Sequence, residues 1–301
     1  MILQAETLLN PLITFLLVIL SSVYASAGTY PLEKGSSIVG RVVKYEVRGG
    51  ESLIEIARRF DLGYNEITDA NPGVDPFIPE KGRTIDIPTS WVSPEVKPHY
   101  NGILINLSEN RLYYFFRKGK RRFVMTFPIG IGDKGKETPM GNFRVIKTVK
   151  GPSWHVPESI RKEQPWLPKV VKPGSNNPLG SHALRLSSGN VLIHGTNRPW
   201  GVGRQVSHGC IRLYPEDIPE LYRMVTKGTK VTIVRNPVKV GVSGQRIFVE
   251  VHEDGWKDMY YEALRILKDL KLFDRIDPKR LNIALRDKKG VPVDITWASG
   301  R

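Results

Sequence analysis

The only cysteine in the chain, Cys210, lies close in sequence to two of the six histidines, His194 and His208. A thiolate attacks acyl carbons, and a neighbouring imidazole lowers the pKa of the thiol by pairing with it. Gly195 and Gly209 lie beside these residues, and glycines let the backbone approach a substrate and expose N–H groups to an oxyanion. These residue types predict cysteine-based acyl transfer, but the residues alone do not rank one histidine above the other as the base.

Cys210 also has simpler explanations. The chain contains no second cysteine, so an internal disulfide is excluded. A zinc site would have only three plausible Cys and His ligands here and lacks the usual C-x-x-C spacing. An inert buried cysteine is disfavoured in an exported protein, where an unpaired thiol is a liability unless it has a role. We therefore predict a nucleophile, with no metal and no cofactor.

The strands expected around these residues indicate a mainly β domain. Strands are indicated at residues 103–107, 111–116, 122–127, 141–148, 183–186, 191–193 and 230–234. Such spacing is typical of a β-sandwich or barrel-like domain, and it puts His194 directly after a strand. Residues 150–180 break the spacing with six prolines and two tryptophans. A loop of this length in a compact domain is usually functional, so it predicts a lid over the site.

The N-terminus predicts export. An apolar run at residues 8–20, too short to span a bilayer comfortably, precedes Ala25-Ser26-Ala27, which resembles a signal-peptide cleavage site. Residues 1–27 are therefore interpreted as a signal peptide and the protein as periplasmic. The alternative is an uncleaved N-terminal membrane anchor.

Length and charge narrow the function classes. A chain of 301 residues has room for about two domains, and its 40% apolar and 25% charged residues exclude disorder and a multi-span membrane protein. The net charge of +15 suits an anionic partner. Nucleic acid is disfavoured because the basic residues are dispersed and no nucleic-acid-binding motif is present.

Residues 44–89 predict a small βααβ unit. Residues 45–47 and 85–87 alternate like strands, and residues 52–60 have helical apolar spacing. Ser52 and Glu55 have the spacing of a capping box at the start of the first helix. Residues 28–41 and 91–100 are interpreted as linkers.

This unit resembles a LysM module. The resemblance lies in residues 45–53, Ile56-Ala57-Arg58-Arg59-Phe60, Asn71-Pro72-Gly73 and Ile85-Asp86-Ile87-Pro88. It implies binding of glycans that contain N-acetylglucosamine, such as peptidoglycan, in a groove between two loops. The implied binding residues are Gly50, Glu51, Ser52, Asn71 and Pro72. Family members usually carry Asp where this chain has Glu51.

Residues 100–236 resemble the YkuD-type L,D-transpeptidases. His194 with Ser207-His208-Gly209-Cys210 matches the family's cysteine motif, and residues 106–115, 138–141, 152–157 and 177–180 match further. With the LysM unit, the segment order resembles the ErfK/YbiS/YcfS/YnhG group. The resemblance implies that Cys210 attacks the bond between diaminopimelate and D-alanine of a tetrapeptide stem and forms a thioester.

The resemblance also implies individual roles. His194 would be the general base, oriented by the carbonyl of Gly195, and the N–H groups of Gly209 and Cys210 would form the oxyanion hole. The implied site also includes His208 and Ser207, with Trp154 in the matching stretch 152–157 as a substrate-binding candidate. Some family members have Asn where this chain has Arg212, whose guanidinium is suited to holding a stem-peptide carboxylate.

The predicted function is therefore a periplasmic L,D-transpeptidase anchored to peptidoglycan. The acceptor stays open between a stem diaminopimelate amine, the lysine of murein lipoprotein, and water, which would give an L,D-carboxypeptidase. The alternative of another class is a LysM wall-binding protein whose catalytic domain is inactive. Residues 244–301, with helices expected at about 257–270 and 279–285, predict an α+β packing unit, with partner docking as the alternative.

Overall fold

A computed structural model describes residues 28–255 and 258–297 of the chain. The predicted signal peptide, residues 1–27, lies outside the described residues. No helix within the described ranges has the length and apolar character needed to cross a membrane.

The N-terminal unit has the predicted βααβ order. Strands β3 and β4 pair antiparallel, and the Ser52–Glu55 capping box at the start of α1 is confirmed. The elements of this region are β1 (Gly28–Pro31), β2 (Ile38–Gly40), β3 (Val43–Glu46), α1 (Leu53–Arg59), α2 (Tyr64–Ala70), β4 (Thr84–Ile87) and β5 (Ser90–Val92).

The next region is mainly β, as predicted. Its elements are β6 (Gly102–Asn106), β7 (Arg111–Lys118), β8 (Arg121–Pro128), β9 (Ile131–Gly132), β10 (Gly141–Lys150), β11 (Trp154–His155), α3 (Glu158–Glu163), β12 (Val170–Val171), β13 (His182–Leu186), β14 (Leu192–His194), β15 (Gln205–Ser207), β16 (Ile211–Arg212), α4 (Asp217–Met224) and β17 (Lys230–Val234).

Eight of these strands join β1 in one nine-stranded sheet, in the order β1-β8-β7-β6-β17-β10-β13-β14-β16, while β11-β12 and β9-β15 form separate pairs. Its core is formed by apolar residues of alternate strand positions, covered by Ile218 and Leu221 of α4. The last two strands, β14 and β16, are parallel. This edge of the sheet carries His194 and leads into the cysteine loop.

The first predicted linker, residues 28–41, is wrong, and the second, residues 91–100, begins with two strand residues before it becomes irregular at residues 93–100. Strand β1 pairs with β8 along its whole length, and β2 pairs with β5, which lies at the start of the second linker. Trp91 in β5 is 2% exposed. The strands are only three or four residues long and their partners are distant in sequence, so local periodicity carries no signal for them.

The N-terminal unit shares a hydrophobic core with the large sheet. Leu53, Ile67 and Trp91 from this unit belong to the same buried cluster as Tyr113 and Phe115 from β7. The LysM-like unit is therefore packed against the catalytic sheet rather than tethered to it.

The C-terminal segment has the predicted α+β composition. Strands β18, β19 and β20 form a separate three-stranded sheet, and the helices contribute Ala263, Leu267, Leu281 and Ala284 to its core. The elements are β18 (Val238–Ser243), β19 (Arg246–Val251), α5 (Met259–Asp269), α6 (Pro278–Asp287) and β20 (Val293–Asp294).

Candidate active site

The cysteine loop connects β15 to β16 in a tight turn. The hydroxyl of Ser207 donates to the carbonyl oxygen of Cys210 at 2.6 Å and closes the turn. Gly209 has φ +93°, and a Cβ atom there would lie 3.3 Å from the carbonyl oxygen of Glu137. A left-handed φ and a close backbone neighbour both favour glycine at this position. The turn therefore fixes the backbone conformation at Cys210.

His194 is held beside this loop by strand pairing. It is the register partner of Arg212 in the parallel pair of β14 and β16, and its carbonyl accepts a bond from the N–H of Leu213 at 2.8 Å. The carbonyl of Arg212 in turn accepts from Gly130 at 2.8 Å. The base predicted from the family resemblance thus lies on a strand hydrogen-bonded to the one that follows the cysteine.

The hydrogen bond of the His194 ring defines its tautomer. Nδ1 lies 2.6 Å from the carbonyl oxygen of Gly195, and a carbonyl can only accept, so Nδ1 carries the hydrogen. Burial, helped by the charge of Arg212 and opposed by the Gly195 bond, lowers the pKa of His194 to about 4. At neutral pH the ring is therefore uncharged, and Nε2 carries the basic lone pair.

Cys210 rests as a thiol. Burial raises the pKa of the Cys210 thiol, although a bond to the Leu192 backbone and the charge of Arg212 oppose the rise. Its Sγ lies 3.7 Å from the carbonyl oxygen of Asn190. The raised thiol pKa and the lowered imidazole pKa both favour the neutral forms over a thiolate–imidazolium ion pair.

Backbone donors are available at the cysteine. Across the described residues, the N–H groups of Gly209 and Cys210 donate to no protein acceptor. Gly195 is packed so closely that a Cβ atom would lie 2.9 Å from Cγ2 of Ile218. The two predicted glycines therefore have different roles. Gly195 allows close packing behind His194, and Gly209 lies in the loop that carries the two N–H donors.

His208 lies outward from this group. Its Nε2 is 2.7 Å from Nζ of Lys136 and 3.4 Å from a carboxylate oxygen of Glu163, and its side chain is 36% exposed. Lys136 and Glu163 also pair with each other at 2.7 Å. The sequence analysis missed both partners, because they are ordinary surface charges that lie far from His208 along the chain.

The proline-rich segment 150–180 contains β11, α3 and β12 and reaches the cysteine loop. Glu163, at the end of α3, is the residue that contacts His208. At the base of the segment, the buried Asn177 donates to the carbonyls of Pro152 and Lys172 at 2.8 and 3.1 Å. Trp154 is half-buried in the β11–β12 ribbon, opposite Val171. The segment is therefore anchored at its base and touches the site through α3, an arrangement that suits the predicted lid.

The predicted glycan-binding residues lie in two adjoining loops, which a bond from Leu53 N to Pro76 O joins at 2.9 Å. The Glu51 carboxylate accepts from Arg59 and from the N–H of Arg48. The Asn71 side chain exchanges two bonds with the Asp86 backbone at 2.7 Å. Ser52 caps α1, whereas Gly50 and Pro72 are exposed. Internal partners therefore hold the polar side chains of this set.

One buried cluster has the residue types of a metal site but already contains a cation. Glu109, Glu250 and His252 place potential ligand atoms within 4.8 Å of one another. The Lys239 ammonium lies 2.7 Å from Glu109 and 2.8 Å from Glu250. These four side chains form an internal charge network that neutralises itself, so they carry no metal assignment.

Comparisons with known proteins identify the family of the chain. The L,D-transpeptidase catalytic domain (YkuD) model matches residues 100–233, and the LysM domain model matches residues 45–88. The chain is 40% identical over 252 residues to the probable L,D-transpeptidase YcfS of Escherichia coli, covering 80% of this chain and 77% of that protein.

Two further relatives span nearly the whole chain. The probable L,D-transpeptidase ErfK/SrfK of Salmonella typhimurium is 35% identical, over 93% of this chain and 94% of that protein. The probable L,D-transpeptidase YbiS of Escherichia coli is 35% identical, over 89% and 92%. The NMR structure of the catalytic domain from the E. faecium L,D-transpeptidase covers 46% of this chain and 99% of that one, at 23% identity and a TM-score of 0.35. The chain belongs to the YkuD-type L,D-transpeptidase family of enzymes.

Proposed function

We propose that this protein is a peptidoglycan L,D-transpeptidase whose nucleophile is Cys210. The observation that carries the proposal is the uncharged His194, fixed through Nδ1 to Gly195 and held on the strand next to the cysteine loop. The substrate class follows from family membership and the LysM match. The acyl donor would be a tetrapeptide stem.

The proposed reaction uses His194 as a proton carrier. Nε2 accepts the thiol proton while Sγ of Cys210 attacks the carbonyl between diaminopimelate and D-alanine. The N–H groups of Gly209 and Cys210 stabilise the tetrahedral oxyanion. The C–N bond then breaks, and the imidazolium returns its proton to the amine of departing D-alanine. An acceptor amine attacks the thioester, its proton passes to His194, and the thiol is regenerated.

Arg212 is proposed to serve both nucleophile and substrate. Its Nε atom is buried without a hydrogen-bond partner, and its charge opposes the rise in the Cys210 pKa. A stem-peptide carboxylate would satisfy the guanidinium in a paired geometry that an ammonium cannot reproduce. In Arg212→Lys we expect KM to rise and kcat to fall; unchanged KM and kcat would remove Arg212 from the proposal.

The cellular setting is proposed from the same relationships. The LysM-like unit would bind glycan strands and hold the enzyme on its polymer, and the N-terminal segment would export it to the periplasm. A stem diaminopimelate amine, giving a 3-3 cross-link, and the lysine of murein lipoprotein are the favoured acceptors.

Turnover of a defined muropeptide tests the proposal. Incubating the protein with a tetrapeptide muropeptide should release D-alanine, and Cys210→Ala should abolish the release while the protein still binds glycan. Adding an acceptor peptide then separates transfer from hydrolysis, because transfer gives a product with the combined mass of both stems minus D-alanine. Glycan binding by the wild type without any turnover would instead support the wall-binding alternative.

A further inference from the structure

A polar cavity lies where the LysM-like unit meets the catalytic region. Its volume is about 370 Å³, and it is lined by Tyr64 and Asp69 of α2, Arg204 and Gln205 at the start of β15, and Glu253 of the C-terminal region, among others. It shares no residue with the predicted glycan groove or with Cys210 and His194. Cavities between packed units are common ligand sites, and this volume lies within the range of small-molecule pockets.

Arg204 brings an unpaired positive charge to this cavity. Its guanidinium stacks on the ring of Tyr64 at 3.7 Å, which fixes its plane. Its Nε atom is buried without a hydrogen-bond partner. Within the described ranges, the guanidinium forms no ion pair with a carboxylate, although an arginine held in this way is well suited to bind one.

Asp69 brings an unpaired negative charge to the same cavity. Its carboxylate is half-buried and forms no hydrogen bond or ion pair with any other described residue. Burial, opposed by the charge of His252 and helped by the carboxylates of Glu66 and Glu253, raises the pKa of Asp69 to about 6. A carboxylate in such a setting gains stability from an incoming cation.

Other charges that line the cavity already have partners. Arg235 lies 3.3 Å from Asp254, and Glu253 pairs with Lys288 at 2.5 Å. Arg204 and Asp69 form no ion pair with each other. The cavity therefore offers one free guanidinium and one free carboxylate, contributed by the catalytic region and by the LysM-like unit respectively.

We propose that this cavity binds the zwitterionic end of an amino acid, with its carboxylate on Arg204 and its ammonium on Asp69. Two sources carry this chemistry: a free amino acid such as released D-alanine, and the side-chain end of a diaminopimelate residue in a stem peptide. The choice of these sources rests on the proposed function. The proposed pairing of charges with Arg204 and Asp69 does not depend on that function.

Strand β15 connects the cavity directly to the cysteine loop. Gln205 lines the cavity and begins β15, and Ser207 ends that strand and bonds to Cys210. Two residues of strand span about 7 Å. Because α2 supplies Asp69, docking of the LysM-like unit completes a site that the catalytic region alone would lack.

Binding to the full chain carrying Cys210→Ala tests the proposal without turnover. Calorimetry with meso-diaminopimelate and D-alanine should detect binding, whereas cadaverine and propionate, which carry one kind of charge each, should bind at least about tenfold more weakly. Asp69→Asn and Arg204→Gln should each weaken zwitterion binding about tenfold or more. The matched controls Asp269→Asn and Arg275→Gln, both in the C-terminal segment away from the cavity, should not change it. Arg204→Lys keeps the positive charge, so it should bind the zwitterion more tightly than Arg204→Gln does. Equal binding by the two variants would mean that stacking on Tyr64, and not the charge, is what Arg204 contributes.

The pH dependence gives a readout that misfolding would not reproduce. Asp69 must be ionised to hold an ammonium, so affinity should fall about tenfold between pH 7 and pH 5, and Asp69→Asn should lose this dependence. A tripeptide muropeptide that ends in diaminopimelate identifies the source: competition with D-alanine favours the stem residue, and binding of free amino acids only favours the released product. Zwitterion binding that is absent at millimolar concentration, or unchanged in both cavity variants, would overturn the proposal. D-alanine release by the wild-type enzyme is measured separately, so failure of the transpeptidase reaction would be seen independently.

Discussion

The contact between Glu66 and Arg111 is expected to dominate the docking of the LysM-like unit on the catalytic sheet. Arg111 is completely buried and Glu66 nearly so. The carboxylate of Glu66 accepts two bonds from the guanidinium at 2.8 Å, one from Trp91 at 3.0 Å and one from the N–H of Gly63 at 2.7 Å. All four acceptor positions of one carboxylate are therefore in use.

Glu66→Gln keeps the shape of this side chain but removes its charge. The substitution leaves a buried guanidinium without its counter-charge, and breaking one side of a buried pair costs about 3 to 5 kcal/mol of unfolding free energy. The chain offers a matched control at the same interface. Arg58 and Glu216 form a similar two-bond pair at 2.7 and 2.9 Å, but their side chains are 35% and 30% exposed. Glu216→Gln should therefore cost only about 1 kcal/mol or less.

Urea denaturation followed by circular dichroism measures both variants, and limited proteolysis near residues 91–100 reports undocking. Glu66→Gln should unfold at clearly lower urea than Glu216→Gln and should be cut faster. If the two variants lose the same stability, the docking does not depend on the buried pair. A wild-type chain that is cut as fast as Glu66→Gln would also refute the rigid arrangement.

Two further predictions concern the active site. Because His194 stays neutral until the pH approaches 4, kcat/KM should hold a plateau down to about pH 5 and be half lost near pH 4; half loss near 6.5, the ordinary histidine value, would contradict the burial argument. Because the pKa of His194 is lowered only in the folded protein, the unfolded chain binds a proton first as the pH falls. The contribution of His194 to the unfolding free energy is therefore complete above pH 6.5 and is lost towards pH 4. The loss should be about 3 kcal/mol relative to His194→Gln. In the predicted lid, Glu163→Gln removes the negative charge that pairs α3 with Lys136 and His208. Amide exchange in residues 158–163 should then accelerate slightly, because exposed ion pairs contribute little; Glu158→Gln, on the same helix, should leave the pairs with Lys136 and His208 intact, and equal acceleration in both variants would argue against a specific latch.

The sequence predicted the parts of the fold that local patterns encode. Strands such as β7, β8 and β17 are long enough for apolar periodicity to reveal them, and Ser52 with Glu55 marked the start of α1. The strand that leads into His194 was also predicted, because a short apolar run precedes it. These features depend on neighbours along the chain.

Features that depend on distant partners were not predicted. Strand β1 looks like a linker until β8 is placed beside it. Arg111 looks like a surface charge in sequence, and only the docked Glu66 explains its burial. Distant contacts also distinguish the two histidines: His194 lies in a strand pair and is buried, whereas His208 lies outward and contacts Glu163 of the predicted lid.

The most direct test of the account is the mass of the acyl-enzyme. The protein is mixed with a tetrapeptide muropeptide in the absence of an acceptor amine, quenched in acid and analysed intact and after digestion. The account predicts a covalent adduct with the mass of the donor minus D-alanine, located on the peptide that contains Cys210 and absent from Cys210→Ala. Release of D-alanine by Cys210→Ala, or an adduct on any other residue, would contradict the assignment of Cys210 as the nucleophile.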